Sequence, residues 1–218
     1  MRNTLPSDEL RDLLTPDNCT LMLIDFQAQM LFGVQSEDRQ TVINNAVGLA
    51  KTAHLFTIPT IVTTVTEQSF SGPMPKQLQA VFPTDWIDRT TMNPWEDARV
   101  VDAVVKAGRP KLILAGLWTE VCVAMPALAA KRAGYDVSVV VDACGGTSNA
   151  AHEAALQRMV HAGIVPMTWL QVLLELQRDW ARNSTSMGVS AIAQEHAGAY
   201  GQGMAYVMSR YAMNGAAG

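Results

Sequence analysis

Short apolar runs recur along the chain, each followed by a longer stretch with helical spacing, and that alternation limits its possible folds more than any other feature. The runs are TLMLID (20–25), TIVTTV (60–65), LILAGL (112–117), VSVVVDA (137–143) and IVPMTW (164–169), with a weaker one at DWIDR (85–89). They are continuous rather than alternating, as strands covered on both faces must be. Residues 41–56, 95–107, 119–134 and 148–163 carry the helical patterns between them. Gly134 and Gly163 fall where a left-handed residue would end a helix just before the next strand. Together these features predict an α/β protein: a three-layer α/β/α sandwich around a doubly wound, mainly parallel six-stranded sheet. Pro126 breaks the third helical pattern, so the helix either kinks there or begins its regular part later.

With 218 residues, 49% of them apolar and 17% charged, the chain has the size and composition of one well-buried domain. We assign residues 1–186 to it. The remainder, 187–218, is rich in Gly, Ala and Met and is read as a C-terminal tail that could serve as an oligomerisation arm. A net charge of −4 with no Lys/Arg cluster argues against a nucleic-acid partner. No apolar run approaches the length of a membrane span, and the polar N-terminus lacks a signal-peptide core. Three widely spaced cysteines suit reduced thiols and a cytoplasmic location better than a disulfide framework.

In an open parallel sheet, ligands bind beyond the carboxyl ends of the strands. Asp25 ends the first strand; Thr63, Thr64 and Thr66 close the second; Trp118 and Thr119 follow LILAG; Asp142 and Cys144 follow the next. A buried carboxylate such as Asp25 needs a partner, or else it caps a helix or bridges a loop. Cys122 begins a helical pattern. If Thr119 caps that helix, the thiol sits in its first turn, where free amides and the helix dipole favour a thiolate. Cys144 shares the same sheet edge but lies in a Gly-rich loop, and Cys19 lies at the opposite edge. Each of the three can also be read as an inert core residue. The four histidines fall in helical patterns or the tail, which disfavours a metal. Neither GxGxxG nor GxxxxGK[ST] occurs, so no dinucleotide or nucleotide cofactor is expected.

LMLIDFQ, followed about a hundred residues later by LILAGLWTEVCV, resembles the isochorismatase-like cysteine hydrolases, and within them the YcaC-related subgroup. The resemblance spans about residues 15–182, including FPTDWIDRTTMNPWED and MTWLQVLLELQRDW. It implies a Rossmann-like topology and a catalytic triad of Asp25, Cys122 and a basic residue, here Arg89 where many members carry lysine. It implies a cis peptide at Leu117–Trp118 and an oxyanion hole built from the amides of Trp118 and Cys122. Metal-dependent relatives have histidine where this chain has Gln27, so neither zinc nor another cofactor is expected. Phe26, Gln27, Trp86, Asn93, Trp95 and Thr119 are the candidates for shaping a pocket around a small-molecule substrate. The implied activity is hydrolysis of a C–N bond in a small amide through a thioester, in a homo-oligomer, with the octamer among the assemblies the resemblance implies. The competing reading is a binding or assembly protein on the same fold with a silent site; a flavin or nicotinamide oxidoreductase ranks below both.

Overall fold

The computed structural model describes residues 13–215, with side chains described through Arg210. Residues 1–12 of the polar N-terminus and 216–218 of the tail lie outside the described residues. The strands are β1 (Cys19–Ile24), β2 (Thr60–Val65), β3 (Ile87–Arg89), β4 (Lys111–Gly116), β5 (Asp136–Val140) and β6 (Val165–Met167). They form one sheet in the order β3-β2-β1-β4-β5-β6, and every neighbouring pair is parallel. The expected mainly parallel sheet is therefore wholly parallel. Every residue of the central strands β1 and β4 is buried, which accounts for the apolar runs Leu21–Ile24 and Leu112–Gly116 within them. Pro166 lies in β6 at the sheet's edge, where a missing backbone donor is tolerated.

The helices are α1 (Ala28–Phe32), α2 (Arg39–Leu55), α3 (Lys76–Gln79), α4 (Ala98–Ala107), α5 (Ala124–Arg132), α6 (Asn149–His161), α7 (Trp169–Gln177), α8 (Asn183–His196) and α9 (Gly198–Gly215). α2 packs with α7 and α8, whereas α5 packs with α6 and against β5, and α4 packs on β2. Local chemistry sets several helix starts: Asp38 accepts from the Thr41 amide at α2, and Ser148 accepts from the Ala151 amide at α6. Gly134 (φ 96°) and Gly163 (φ 78°) are both left-handed, as expected at the turns into β5 and β6.

The helical pattern at 119–134 divides into two parts. Residues Thr119–Val123 form a single π turn, and regular α-helix begins only at Ala124. Pro126 then lies in the first turn of α5, where its missing N–H has no intrahelical acceptor to serve. Of the two readings of Pro126, the later start is the one observed.

The assigned boundary at 186/187 falls inside α8. Val189, Ile192 and Ala193 of that helix belong to the buried core. Among the described residues, only α9 leaves a run of apolar side chains in solvent, including Tyr206, Val207 and Met208. Among the described residues no helix is long and apolar enough to cross a membrane.

Candidate active site

β1 and β4 lie side by side, and the chain leaves them toward opposite halves of the sheet, which opens a crevice beyond their carboxyl ends. Asp25 follows β1 in a left-handed conformation (φ 55°), with its amide donating to the Thr63 carbonyl at 3.0 Å. Its side chain is fully buried. Arg89, from the last position of β3, reaches across the end of β2 and donates from Nη2 to Asp25 Oδ2 at 2.5 Å. Arg89 Nη1 donates to the Thr91 carbonyl. Thr63 Oγ1 donates to Asp25 Oδ1 at 3.4 Å. Cys122 comes from the π turn after β4, and its thiol lies within interaction range of both the Asp25 carboxylate and the Arg89 guanidinium. Three separate strand ends thus bring Asp25, Arg89 and Cys122 together.

Burial pushes the Asp25 carboxyl up to about 6, against the opposing pull of the Arg89 charge and hydrogen bonds from Cys122, Arg89 and Thr63. Burial, the Asp25 charge and the hydrogen bond to it push the Cys122 thiol up to about 12, while Arg89 pulls it down. The resting site is therefore a neutral thiol beside a carboxylate and a guanidinium, not a thiolate. Thr119 does not cap the turn: its hydroxyl pairs with His152 Nδ1 at 2.8 Å, and the cap position belongs to Trp118 without a side-chain bond. Helix capping by Thr119 therefore does not act on the sulfur, whose charged neighbours are the Asp25 carboxylate and the Arg89 guanidinium.

Burial also pushes Cys19 and Cys144 up to about 12. Acidity does not distinguish the three cysteines; position does. Cys144 shares the sheet edge as expected but is wholly buried and does not line the cleft at Cys122. Cys19 donates to the Thr15 carbonyl below the sheet. Cys122 alone of the three opens onto a cleft of about 210 Å3. Carbon-rich walls come from Met30, Val65, Phe70, Met92, Trp118 and Val121, and hydroxyls from Thr66, Ser71 and Thr90.

The Leu117–Trp118 peptide is cis. The Trp118 indole donates to the Met30 carbonyl at 2.7 Å and forms one wall of the cleft. Gly33 is the residue against which that ring packs, since a Cβ there would stand 2.5 Å from the indole Cζ2. Gly33→Ala is expected to displace the ring, costing about 1–3 kcal/mol of stability and at least tenfold in kcat/KM, read by thermal melts and steady-state kinetics. Its backbone φ of −76° suits any residue, so wild-type behaviour would show that the indole shifts freely.

The other residues expected around the pocket sit elsewhere. Phe26 is core. Gln27 spends its amide on the Val65 and Gly72 backbone and so clamps α1 to the end of β2. Trp86 donates to Glu67, Asn93 caps the turn at 94–96, and Trp95 meets Tyr135 edge-on at 5.8 Å. The walls that replace them come mostly from the loop after β2, the residues after β3, and Met30 in the short α1. None of these segments had a periodic signal. Among the described residues, no group of His, Cys, Asp and Glu is arranged to hold a metal ion.

The fold and the site together define an α/β protein with a doubly wound parallel sheet and a buried carboxylate, guanidinium and thiol at its crevice. Residues 19–171 match the isochorismatase domain, and the chain belongs to the isochorismatase family, with the general role of a hydrolase. The probable hydrolase YcaC of Escherichia coli is 39% identical over 185 residues, covering 84% of this chain and 88% of that protein. The crystal structure of the E. coli YcaC gene product, described as an octameric hydrolase of unknown specificity, superimposes with a TM-score of 0.85 at 35% identity, covering 93% of this chain and 97% of that one. YcaC from Pseudomonas aeruginosa, solved with hexane-2,5-diol and covalent acrylamide, has the same TM-score and identity and covers 93% and 98%. These likenesses place the chain in the YcaC-related subgroup.

Proposed function

We propose that the chain hydrolyses a C–N bond of a small amide through a thioester on Cys122. The observation that carries this reading is the Cys122 thiol at the cleft wall, beside an Asp25 carboxylate that Arg89 holds in place. With the thiol near 12 and the carboxyl near 6, a free thiolate is a rare resting species. Proton transfer from Sγ to Asp25 therefore accompanies attack on the carbonyl carbon. The oxyanion is received by the amides of Trp118 and Cys122. As the C–N bond breaks, Asp25 returns the proton to the leaving amine. It then takes a proton from the water that attacks the thioester, releasing a carboxylic acid and restoring the thiol. Arg89 stays protonated throughout, so it positions Asp25 and moves no proton. The covalent acrylamide in the P. aeruginosa relative is in keeping with a nucleophile that a small amide-bearing electrophile can reach. Assembly as a homo-oligomer is part of the proposal, by analogy with the octameric E. coli relative, with the exposed apolar side of α9 as a candidate contact.

The test is the pH dependence of kcat/KM on the best substrate from a small-amide screen. The base is active when ionised, so activity is lost as pH falls through about 6 and is level from about 7 to 8. Asp25→Asn should lower kcat/KM by about 10^3-fold and remove that acid limb. An unchanged limb in Asp25→Asn would show that some other group is the base.

A further inference from the structure

We propose that the cleft selects small amides whose acyl group is uncharged and apolar, and turns away acyl groups carrying a carboxylate. The inference rests on the amide-hydrolase reading and narrows its substrate class.

The cleft's lining, taken among the described residues, contains no charged side chain. The hydroxyl-bearing residues of its lining are Thr66, Ser71 and Thr90, and two of those hydroxyls, Thr66 Oγ1 and Ser71 Oγ, already face each other at 3.5 Å. Neutral hydroxyls can orient an amide, but they cannot compensate a carboxylate stripped of water. The guanidinium of Arg89 is not available for that task. Both its terminal nitrogens are engaged, one by Asp25 and the other by the Thr91 carbonyl, and its side chain has no exposed surface. The charges directly behind Cys122 are the Asp25 carboxylate and the Arg89 guanidinium paired with it, which leave no net positive charge to receive a second anion. At the mouth, Phe70 (64% exposed) and Met92 (66% exposed) extend the apolar surface outward, so an entering group crosses carbon rather than a charged rim. The volume of about 210 Å3 lies below the roughly 300–1,000 Å3 of sites for drug-sized ligands. With water's share of about 30 Å3 as the loose limit, it holds roughly seven to ten non-hydrogen atoms. A short aliphatic or single-ring acyl amide fits this description.

The experiment reads charge selectivity twice, once without turnover. Iodoacetamide and iodoacetate are nearly the same size and differ in charge; both transfer a two-carbon group to sulfur with loss of iodide. Their rates at Cys122 in the full chain are measured by peptide mass spectrometry, with glutathione as the unconfined thiol at the same pH. The amide-to-acetate rate ratio at Cys122 should exceed that of glutathione by at least tenfold. Met92→Lys, which sets an ammonium at the exposed mouth, should narrow it severalfold. In the turnover arm, butyramide should exceed succinamate in kcat/KM by at least tenfold. A Cys122 ratio no larger than glutathione's, or succinamate turned over as well as butyramide, overturns the proposal. If neither amide is hydrolysed, the alkylation ratio decides alone. If Cys122 resists both reagents and Cys122→Ala still hydrolyses amides, the nucleophile assignment itself falls and takes the selectivity with it.

Discussion

Cys122→Ala is expected to lower kcat by about 10^4-fold or more, while Cys144→Ala keeps most of the activity. Both thiols are buried and both are held near 12, so neither acidity nor exposure separates them. The difference is that the Cys122 sulfur meets Asp25 and the cleft, whereas Cys144 is sealed beneath its loop. Removing the Cys122 sulfur deletes a single heavy atom from a tight site, for a stability cost of about 1 kcal/mol. Melting curves close to wild type would then show that lost turnover is chemical rather than structural. Retained hydrolysis in Cys122→Ala would remove the thioester from the mechanism, and loss of activity only in Cys144→Ala would move the nucleophile across the crevice.

The second large effect is expected at Arg89. Arg89→Met keeps a long side chain but strips the counter-charge from a carboxylate with no access to water. Breaking one side of a buried ion pair costs about 3–5 kcal/mol. The attraction that opposes burial also disappears, so the Asp25 carboxyl rises further above about 6 and is protonated at neutral pH. Activity should fall by about 10^2–10^4-fold, with the acid limb displaced to higher pH. Arg89→Lys preserves the charge but not the two-armed reach to Asp25 and Thr91, so an intermediate loss is expected. Adding Asp25→Asn to Arg89→Met should recover part of the stability and none of the activity, because the uncompensated charge is gone while the base is still missing. Chemical denaturation together with pH-rate profiles checks each step. A single Arg89→Met variant as stable as wild type would mean that the ion pair contributes nothing to the fold.

Much of this architecture is written in local pattern. The apolar runs at 20–25, 60–65 and 112–117 became β1, β2 and β4 within one residue at either end, because a strand buried on both faces tolerates little but apolar side chains. The turn glycines were readable for a similar reason, since few other residues accept a left-handed backbone. Patterns failed where a contact joins distant segments. Gln27, Thr119 and Trp95 follow strands as pocket residues should, and Trp86 sits just before β3, yet each has a structural partner elsewhere. The boundary at 186/187 failed likewise, because the small and mixed residues of α8 do not reveal that Val189, Ile192 and Ala193 meet α2 and the core.

The sequence by itself determined the sheet, its helical layers, and the edge at which Asp25 and Cys122 would lie, since those follow from periodicity and from the geometry of parallel crossovers, while Arg89 was reached only through the family resemblance. Only the tertiary structure decided how the three groups meet, that burial leaves Cys122 a thiol beside a carboxylate, and that the cleft's walls are apolar. Ionisation and lining depend on which side chains are brought within a few ångströms across separate loops, and that distance is not encoded in any local stretch of the chain.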